Sequence, residues 1–181
     1  MGSGYFGIRF YPIFLPSQAP NAPQPLYPEA MRLGERGEGY VVGQFALLGQ
    51  LLLALWVTPS FSPPWLGGLG RGLAWVGLGV LLLAAWQLGR NLTALPKPRP
   101  GGYLVQQGLY RVVRHPIYCG VLLWALGSSL AHLNLWTLLL CGLLFVWLDR
   151  KASLEETWLQ ERFPEYSAYR QRVKKLIPWV Y

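Results

Sequence analysis

A chain of 181 residues that is 52% hydrophobic and only 13% charged does not have the composition of a soluble globular domain. Its nine tryptophans and its long uncharged runs are typical of a membrane protein. The net charge of +8 is compatible with nucleic-acid binding, but the basic residues flank the apolar runs and lie among Trp and Tyr. We therefore predict attraction to the anionic headgroups of membrane lipids, and no nucleic-acid partner.

The N-terminal segment, residues 1–38, is rich in Pro and Gly and lacks the apolar core of a secretory signal peptide. Its stretch LPSQAPNAPQPLYP is typical of an extended, irregular chain. We predict an irregular segment over 1–38 and a membrane domain over 39–181.

Four apolar runs follow, at 40–58, 72–88, 117–131 and 133–148. The first two carry no charge and come close to the roughly 20 residues that cross a bilayer. The last two are shorter and adjoin, which predicts a tight helical hairpin. A pair of buried helices in a soluble protein is the alternative, but the unbroken run LLLCGLLFVWL favours the membrane. The sequence thus predicts an all-α, polytopic transmembrane helix bundle of about four spans, with C-terminal helices over 149–175.

The positions of the basic residues predict the orientation. Fifteen of the sixteen Lys and Arg residues precede the first run, separate the second from the third, or follow the fourth. Only Arg71 lies on the opposite side. Because positive charges accumulate on the cytoplasmic side, we predict a multi-pass integral membrane protein whose N-terminus, C-terminus and active site are cytoplasmic.

Two cysteines, Cys119 and Cys141, lie inside predicted spans. Their spacing indicates neither a disulfide framework nor a metal site. We therefore expect them to be small packing residues, and we expect no bound metal.

The stretch GLYRVVRHPIYCG places cationic residues where the third span begins. Proline favours the first turn of a helix and disfavours helical geometry in the residue before it, so we predict Pro116 at the first helical position and His115 at the N-cap. The free N–H groups of this helix start, with Arg114 and His115, would suit an anionic group, and Tyr118 would lie near the same mouth. The alternative is that Arg114 and His115 only extend toward the membrane surface and fix the topology.

The stretch WLDRKASLEETWLQERF predicts that the fourth span continues as a helix beyond the membrane. On such a helix Glu156 shares a face with Ala152, Leu159 and Phe163. A carboxylate on an apolar face is costly unless it has a partner or a ligand.

Lys151 lies one turn before Glu155, at a spacing that suits an ion pair. A carboxylate on this tail and a cationic helix mouth on the 89–120 connector would together suit a ligand that carries both charges. We therefore predict a cytoplasmic cofactor pocket between the connector and the C-terminal tail.

Four stretches carry a resemblance to a known family: LGRNLT at 88–93, YLVQQGLYRVVRHPIYCG at 103–120, LEETWL at 154–159 and FPEYSAYRQRVKKLIP at 163–178. In this order they resemble the integral-membrane methyltransferases that include isoprenylcysteine carboxyl methyltransferase, with phospholipid methyltransferases as more distant relatives. The similarity extends over roughly 75–178.

The resemblance implies S-adenosylmethionine in the pocket and a lipid or lipid-linked acceptor from the bilayer, such as an isoprenylcysteine carboxylate. The implied cofactor contacts are Tyr103, Leu104, Val105, Tyr110, His115, Pro116, Tyr118, Glu155 and Glu156. The family has an arginine for the acceptor carboxylate where this chain has Lys151, which keeps the charge but lacks the bidentate fork. We predict Arg114, His115 and Lys151 as the catalytic residues.

Two other functions are compatible with the sequence. A non-catalytic membrane scaffold could retain the pocket, and Lys151 would fit that reading. A sterol-reductase-like enzyme would use NADPH, since those enzymes have a distantly similar C-terminal region. A carboxylate acceptor is already ionised at neutral pH and needs no general base, which favours methyl transfer to such a group.

Overall fold

Five α-helices and two short 3₁₀ turns account for most of residues 37–181, the part of the chain that this computed structural model describes. The α-helices are α1 (Glu38–Val57), α2 (Pro64–Leu88), α3 (Pro116–His132), α4 (Leu135–Arg162) and α5 (Tyr166–Arg172). The 3₁₀ turns are Gly89–Asn91 and Gly108–Arg111. The predicted irregular segment lies, except for its last two residues, outside the described part.

Within residues 37–181, two helices are long and apolar enough to cross a membrane, Glu38–Val57 and Pro64–Asn91, while Pro116–His132 is apolar but shorter. The second helix begins eight residues before the predicted span, so Arg71 lies within its first turns rather than before it. Pro64 starts this helix because its fixed φ suits the first helical position. The glycine-rich residues that follow, which favour a loop by propensity alone, are held in the helix by packing against α3.

Four glycines allow α2 and α3 to approach until their backbones touch. Gly70 and Gly77 on α2 are seven residues apart, as are Gly120 and Gly127 on α3, so each pair lies on one helix face. A Cβ atom at Gly77 would lie 2.4 Å from the backbone nitrogen of Trp124. We call this contact the glycine seam.

The predicted hairpin joins α3 and α4 through Leu133 and Asn134. Leu133 adopts the left-handed conformation with φ of 46°, and the Asn134 side chain caps α4 by accepting a hydrogen bond from Trp136 N at 2.8 Å. α4 then continues without a break to Arg162. The prediction that the fourth apolar run extends as a helix into the tail is confirmed.

The main core lies where α1, α3 and α4 meet. Its buried members are Leu51, Ala54, Val121, Ala125, Leu140, Cys141, Leu144 and Leu148. Cys141 is therefore a packing residue as predicted, and both cysteines are free thiols. Large apolar side chains on the outer faces of α1 and α2, including Trp56, Trp75 and Trp86, are exposed, as expected for surfaces that contact lipid.

The connector before α3 is joined to the C-terminal segment by backbone pairing. Val113 and Lys174 form an isolated parallel bridge. Arg114 N donates to Lys174 O at 2.8 Å, and His115 N donates to Lys175 O at 3.1 Å. The Lys175 ammonium in turn binds Asp149 on α4. The start of α3 is therefore held in place by the end of the chain.

Candidate active site

The start of α3 has the predicted geometry. Pro116 occupies the first helical position, and His115 is the N-cap residue, in a non-helical conformation. The His115 side chain makes no cap hydrogen bond and instead stacks on Tyr118, with ring centroids 5.4 Å apart and planes 2° from parallel. Its imidazole is thus directed toward α4.

Glu156 on α4 is the partner of both cationic residues at this mouth. Its Oε1 lies 2.8 Å from Arg114 Nε and 3.1 Å from His115 Nε2. The Arg114 and Glu156 side chains are only 8% and 5% exposed. The same guanidinium also makes hydrogen bonds to the backbone, since Arg114 Nη1 donates to the carbonyls of Arg170 and Val173. Arg114 and His115 are thus buried in a network rather than extended to the surface.

The electrostatics of Glu156 follow from these contacts. Burial alone would raise the pKa of its carboxyl, but the hydrogen bonds and charges of His115 and Arg114 outweigh burial and lower the pKa to about 2. Glu156 is therefore ionised at neutral pH, and its negative charge compensates the arginine. The partners expected for this carboxylate are therefore Arg114 and His115 of the same chain.

Glu155, the neighbouring residue, contacts Tyr118 and the opposite edge of the His115 imidazole. Its Oε2 accepts a hydrogen bond from the Tyr118 hydroxyl at 2.9 Å and lies 3.7 Å from His115 Nδ1. Burial raises the pKa of this carboxyl, and the nearby charge of Glu156 adds to the increase, although His115, Tyr118 and Lys151 oppose it. Adjacent carboxylates thus have opposite pKa shifts because one is paired with an arginine and the other is not.

Lys151 is buried one turn before Glu155. Its Nζ donates to Gln44 Oε1 on α1 at 2.7 Å and lies 5.1 Å from the centroid of the Tyr118 ring. Burial lowers the pKa of this ammonium, and the charge of Glu155 opposes that shift. Lys151 and Glu155 interact electrostatically, as their spacing predicted, but the hydrogen-bond acceptor of Lys151 is Gln44.

These groups surround a cavity of about 480 Å³. Of the predicted site residues, those that line it are Tyr103, Leu104, Val105, Tyr110, Arg114, His115, Pro116, Tyr118, Lys151 and Glu155. Glu156 instead lines an adjacent cavity, which it shares with Arg114. The structure therefore brings all the predicted site residues close together. Glu156 lies behind the residues that line the first cavity and does not face that cavity itself. No group of three metal-ligating side chains occurs in the described residues.

Fourteen lining residues were not predicted as site residues, among them the polar Gln44, Asn91 and Tyr166. The signal for Gln44 was its polar side chain within an uncharged span, because polar residues inside membrane segments are often functional. Asn91 and Tyr166 lie within stretches quoted for the resemblance, yet neither was placed in the pocket. Within residues 37–181 the Asn91 Nδ2 and the Tyr166 hydroxyl are both buried and have no hydrogen-bond partner. Buried polar groups without a partner are rare, and both residues belong to the wall of one cavity.

A model of the phospholipid methyltransferase family matches residues 66–166. The chain belongs to this family. A probable protein-S-isoprenylcysteine O-methyltransferase of Oryza sativa subsp. indica is 30% identical over 141 residues, or 75% of this chain and 73% of that protein. A methanethiol S-methyltransferase of a Pseudomonas species is 32% identical over 156 residues, or 77% of this chain and 58% of that protein.

The fold has a solved counterpart in the eukaryotic intramembrane Ras methyltransferase, isoprenylcysteine carboxyl methyltransferase. The two structures superpose with a TM-score of 0.61 at 22% sequence identity, over 80% of this chain and 53% of that one. The chain thus spans about half the length of that protein. The predicted family, the all-α membrane fold and the assignment to methyltransferases are confirmed.

Proposed function

We propose that this membrane methyltransferase uses S-adenosylmethionine and methylates the carboxylate of a lipid-linked acceptor of the isoprenylcysteine type. One observation supports this most strongly. A single cavity combines the mouth of α3, the Glu155 carboxylate, the Lys151 ammonium and two unpaired buried polar groups. Such a mixture of charges suits a zwitterionic cofactor beside an anionic acceptor.

The lining residues fit this methyl donor. S-Adenosylmethionine carries a carboxylate, an ammonium, a sulfonium and an adenosine, and when bound it would supply an activated methyl group. The N-terminus of α3 and His115 would hold its carboxylate, while Glu155 and the Tyr118 hydroxyl would hold its cationic part. Asn91 and Tyr166, whose Nδ2 and hydroxyl have no hydrogen-bond partner within residues 37–181, would bind its remaining polar groups.

Arg114 and Lys151, predicted as catalytic, and Glu156, predicted as a cofactor contact, receive different tasks in this proposal. Arg114 and Glu156 act as positioning residues, because their charges are already paired and they lock His115 at the mouth. Lys151, with Gln44 as its support, would bind the acceptor carboxylate through one ammonium. The carboxylate is ionised before reaction, so the protein's contribution is to align the two reactants and exclude water.

The topology is part of the same proposal. We infer that α1, α2, α3 and the apolar half of α4 all cross the membrane as one domain over 39–181, with both termini and the cavity in the cytoplasm. The distribution of Lys and Arg supports this. In a variant without native cysteines, an impermeant maleimide outside intact cells should label Ser60→Cys but not Ser167→Cys. Labelling of Ser167→Cys, alone or together with Ser60→Cys, would contradict the four-span orientation.

Calorimetric titration of the detergent-purified protein tests the cofactor. S-Adenosylmethionine should bind and NADPH should not; the reverse result would favour a reductase. The Glu155→Gln variant should weaken S-adenosylmethionine binding by about tenfold, since a charged hydrogen-bond partner is lost. Glu161→Gln, which removes an exposed carboxylate from the same helix, is the matched control and should bind normally.

Transfer of a labelled methyl group tests the acceptor. A farnesylated cysteine with a free carboxylate should form a base-labile methyl ester, whereas its pre-formed ester should not be labelled. Methanethiol is the second acceptor to compare, since one relative is named for it. Transfer to the thiol alone would contradict the acceptor, and cofactor binding without transfer to any acceptor would favour a scaffold.

A further inference from the structure

A second cavity of about 520 Å³ lies beside the first and shares Arg114 with it. Its walls come from α4, α5 and the end of the described chain. Glu156 faces this second cavity, and no reactant of the proposed methyl transfer occupies the second cavity. We call it the basic cavity.

The charges around the basic cavity are mostly positive. Arg114, Arg170, Lys174 and Lys175 line it, against the single carboxylate of Glu156. Arg114 is paired with Glu156 and donates to two backbone carbonyls, and Lys175 is paired with Asp149.

Arg170 and Lys174 are held less tightly than those two cations. The Arg170 side chain is 52% exposed, and its Nε lies 3.6 Å from Glu156 Oε2, which is longer than a good charged hydrogen bond. Lys174 is exposed and contributes its backbone, through the bridge to Val113, to the fold. Lys174 can therefore bind an anion through an exposed ammonium, and Arg170 can bind one by giving up only its long contact with Glu156.

The rim of the basic cavity is apolar. Val180 and Tyr181 line it, and the neighbouring Ile177 and Trp179 are exposed, Trp179 by 87%. Basic groups beside exposed aromatic and aliphatic side chains are typical of a segment at the membrane interface. A fully soluble anion would use only the charges and leave this rim unpaired.

We propose that the basic cavity binds the phosphate group of an anionic phospholipid, with Arg170 and Lys174 at the phosphate and the Ile177–Val180 side chains toward the acyl chains. Charge complementarity and the apolar rim select this occupant. The site is independent of the methyl acceptor, so it stands or falls separately from the proposed function.

Native mass spectrometry of the detergent-purified protein tests this site, with phosphatidylglycerol and phosphatidylcholine of identical acyl chains as probes. Phosphatidylglycerol should be retained in preference. The double variant Arg170→Gln/Lys174→Gln should lose about tenfold in apparent affinity for it, since each basic residue near a lipid surface contributes appreciably.

The matched control is Arg111→Gln/Arg172→Gln, which removes the same charge from two exposed arginines that line neither cavity. Its affinity should stay within about twofold, because only general attraction is reduced. An equal loss in both double variants, or equal retention of the two lipids, would overturn the proposal. Competition by glycerol 3-phosphate as strong as that by the lipid would overturn the choice of occupant.

A melting curve for each variant establishes that it is folded. If the double variant unfolds, Lys174→Gln alone replaces it, since this exposed side chain makes no buried pair. That single variant should lose about threefold in affinity for phosphatidylglycerol. Unchanged affinity would contradict the assignment.

Discussion

The glycine seam and the polar network at the mouth of α3 hold the molecule together in opposite ways. In the seam, backbone meets backbone over Gly70, Gly77 and their partners on α3, and the contact is steric. In the network, Arg114 and Glu156 are 42 positions apart in the chain and attract each other through charge. One contact depends on the absence of side chains, and the other on their ionisation.

The difference explains how the site is built. The seam fixes where α3 lies against α2, and both helices contribute ends to the cavity wall. The network then fixes the orientation of His115 within that frame. A steric contact should be insensitive to pH and fail when one methyl group is added, whereas a charged contact should tolerate changes of volume and fail when a proton is added.

Gly77→Ala should break the seam and give the largest effect. Its new Cβ would lie 2.4 Å from Trp124 N, and a backbone atom cannot move aside as a flexible side chain can. We expect a loss of about 5 kcal/mol or failure to fold, beyond the usual cost of overpacking. Thermal melting in detergent measures it. Gly79→Ala, on the same helix with no atom of residues 37–181 within 4 Å of the added Cβ, should be neutral or stabilising. Similar melting temperatures for the two variants would show that the helices do not touch.

Glu156→Gln should break the network at its centre. The change leaves Arg114 buried without its counter-ion, which costs about 4 kcal/mol. Denaturation of the variant beside Glu161→Gln, an exposed carboxylate on the same helix, isolates this cost from the general effect of losing one negative charge. If both variants were equally stable, the pair would contribute nothing to folding.

The sequence predicted the elements of both regions better than it predicted their contacts. Helix lengths followed from apolar runs, and Pro116 placed the start of α3 correctly because proline constrains its own and the preceding residue. The start of α2 was placed too late. Its first turns contain several glycines, and only packing against α3, which is not local, makes them helical.

The site was predictable in its residue types but not in its pairing. Glu156 lies on an apolar helix face, so its carboxylate was expected to have a partner. The sequence alone does not tell whether that partner is a bound ligand or a residue such as Arg114. The backbone bridge between Val113 and Lys174 has no sequence signal, because it uses main-chain groups that every residue except proline carries. Gln44 belongs to α1, and nothing along the chain indicates that α1 and α4 meet at Lys151.

The pH dependence of stability should separate the two regions further. The pKa of Glu156 in the folded protein is about 2, below its ordinary 4.5, so its contribution is fully present above pH 4.5 and is lost as the pH falls toward 2. The shift corresponds to about 3 kcal/mol. The difference in unfolding free energy between wild type and Glu156→Gln should therefore shrink over that interval. A difference independent of pH would mean that the carboxylate is not preferentially ionised in the folded state. Gly77→Ala should show no comparable dependence relative to wild type.

Two tyrosines one turn apart on α5, Tyr166 and Tyr169, allow a buried hydroxyl with a hydrogen bond to be compared with one that has none among the described residues. The Tyr169 hydroxyl donates to the Tyr110 carbonyl, whereas the Tyr166 hydroxyl is buried without a partner among the described residues. Tyr169→Phe should therefore cost about 1 kcal/mol of stability, the usual contribution of one hydrogen bond. Tyr166→Phe should cost no stability, since it removes no bond and relieves a buried polar group.

The same two variants should respond in the opposite order to the cofactor. If the Tyr166 hydroxyl binds S-adenosylmethionine, Tyr166→Phe should weaken cofactor binding by about fivefold in calorimetry, as expected for one lost hydrogen bond. Tyr169→Phe should bind nearly as well as wild type once folded, because its hydroxyl is already used. A Tyr166→Phe variant that melts earlier and binds normally would place that hydroxyl in the structure rather than in the site, and would leave the mouth of α3 as the main source of affinity.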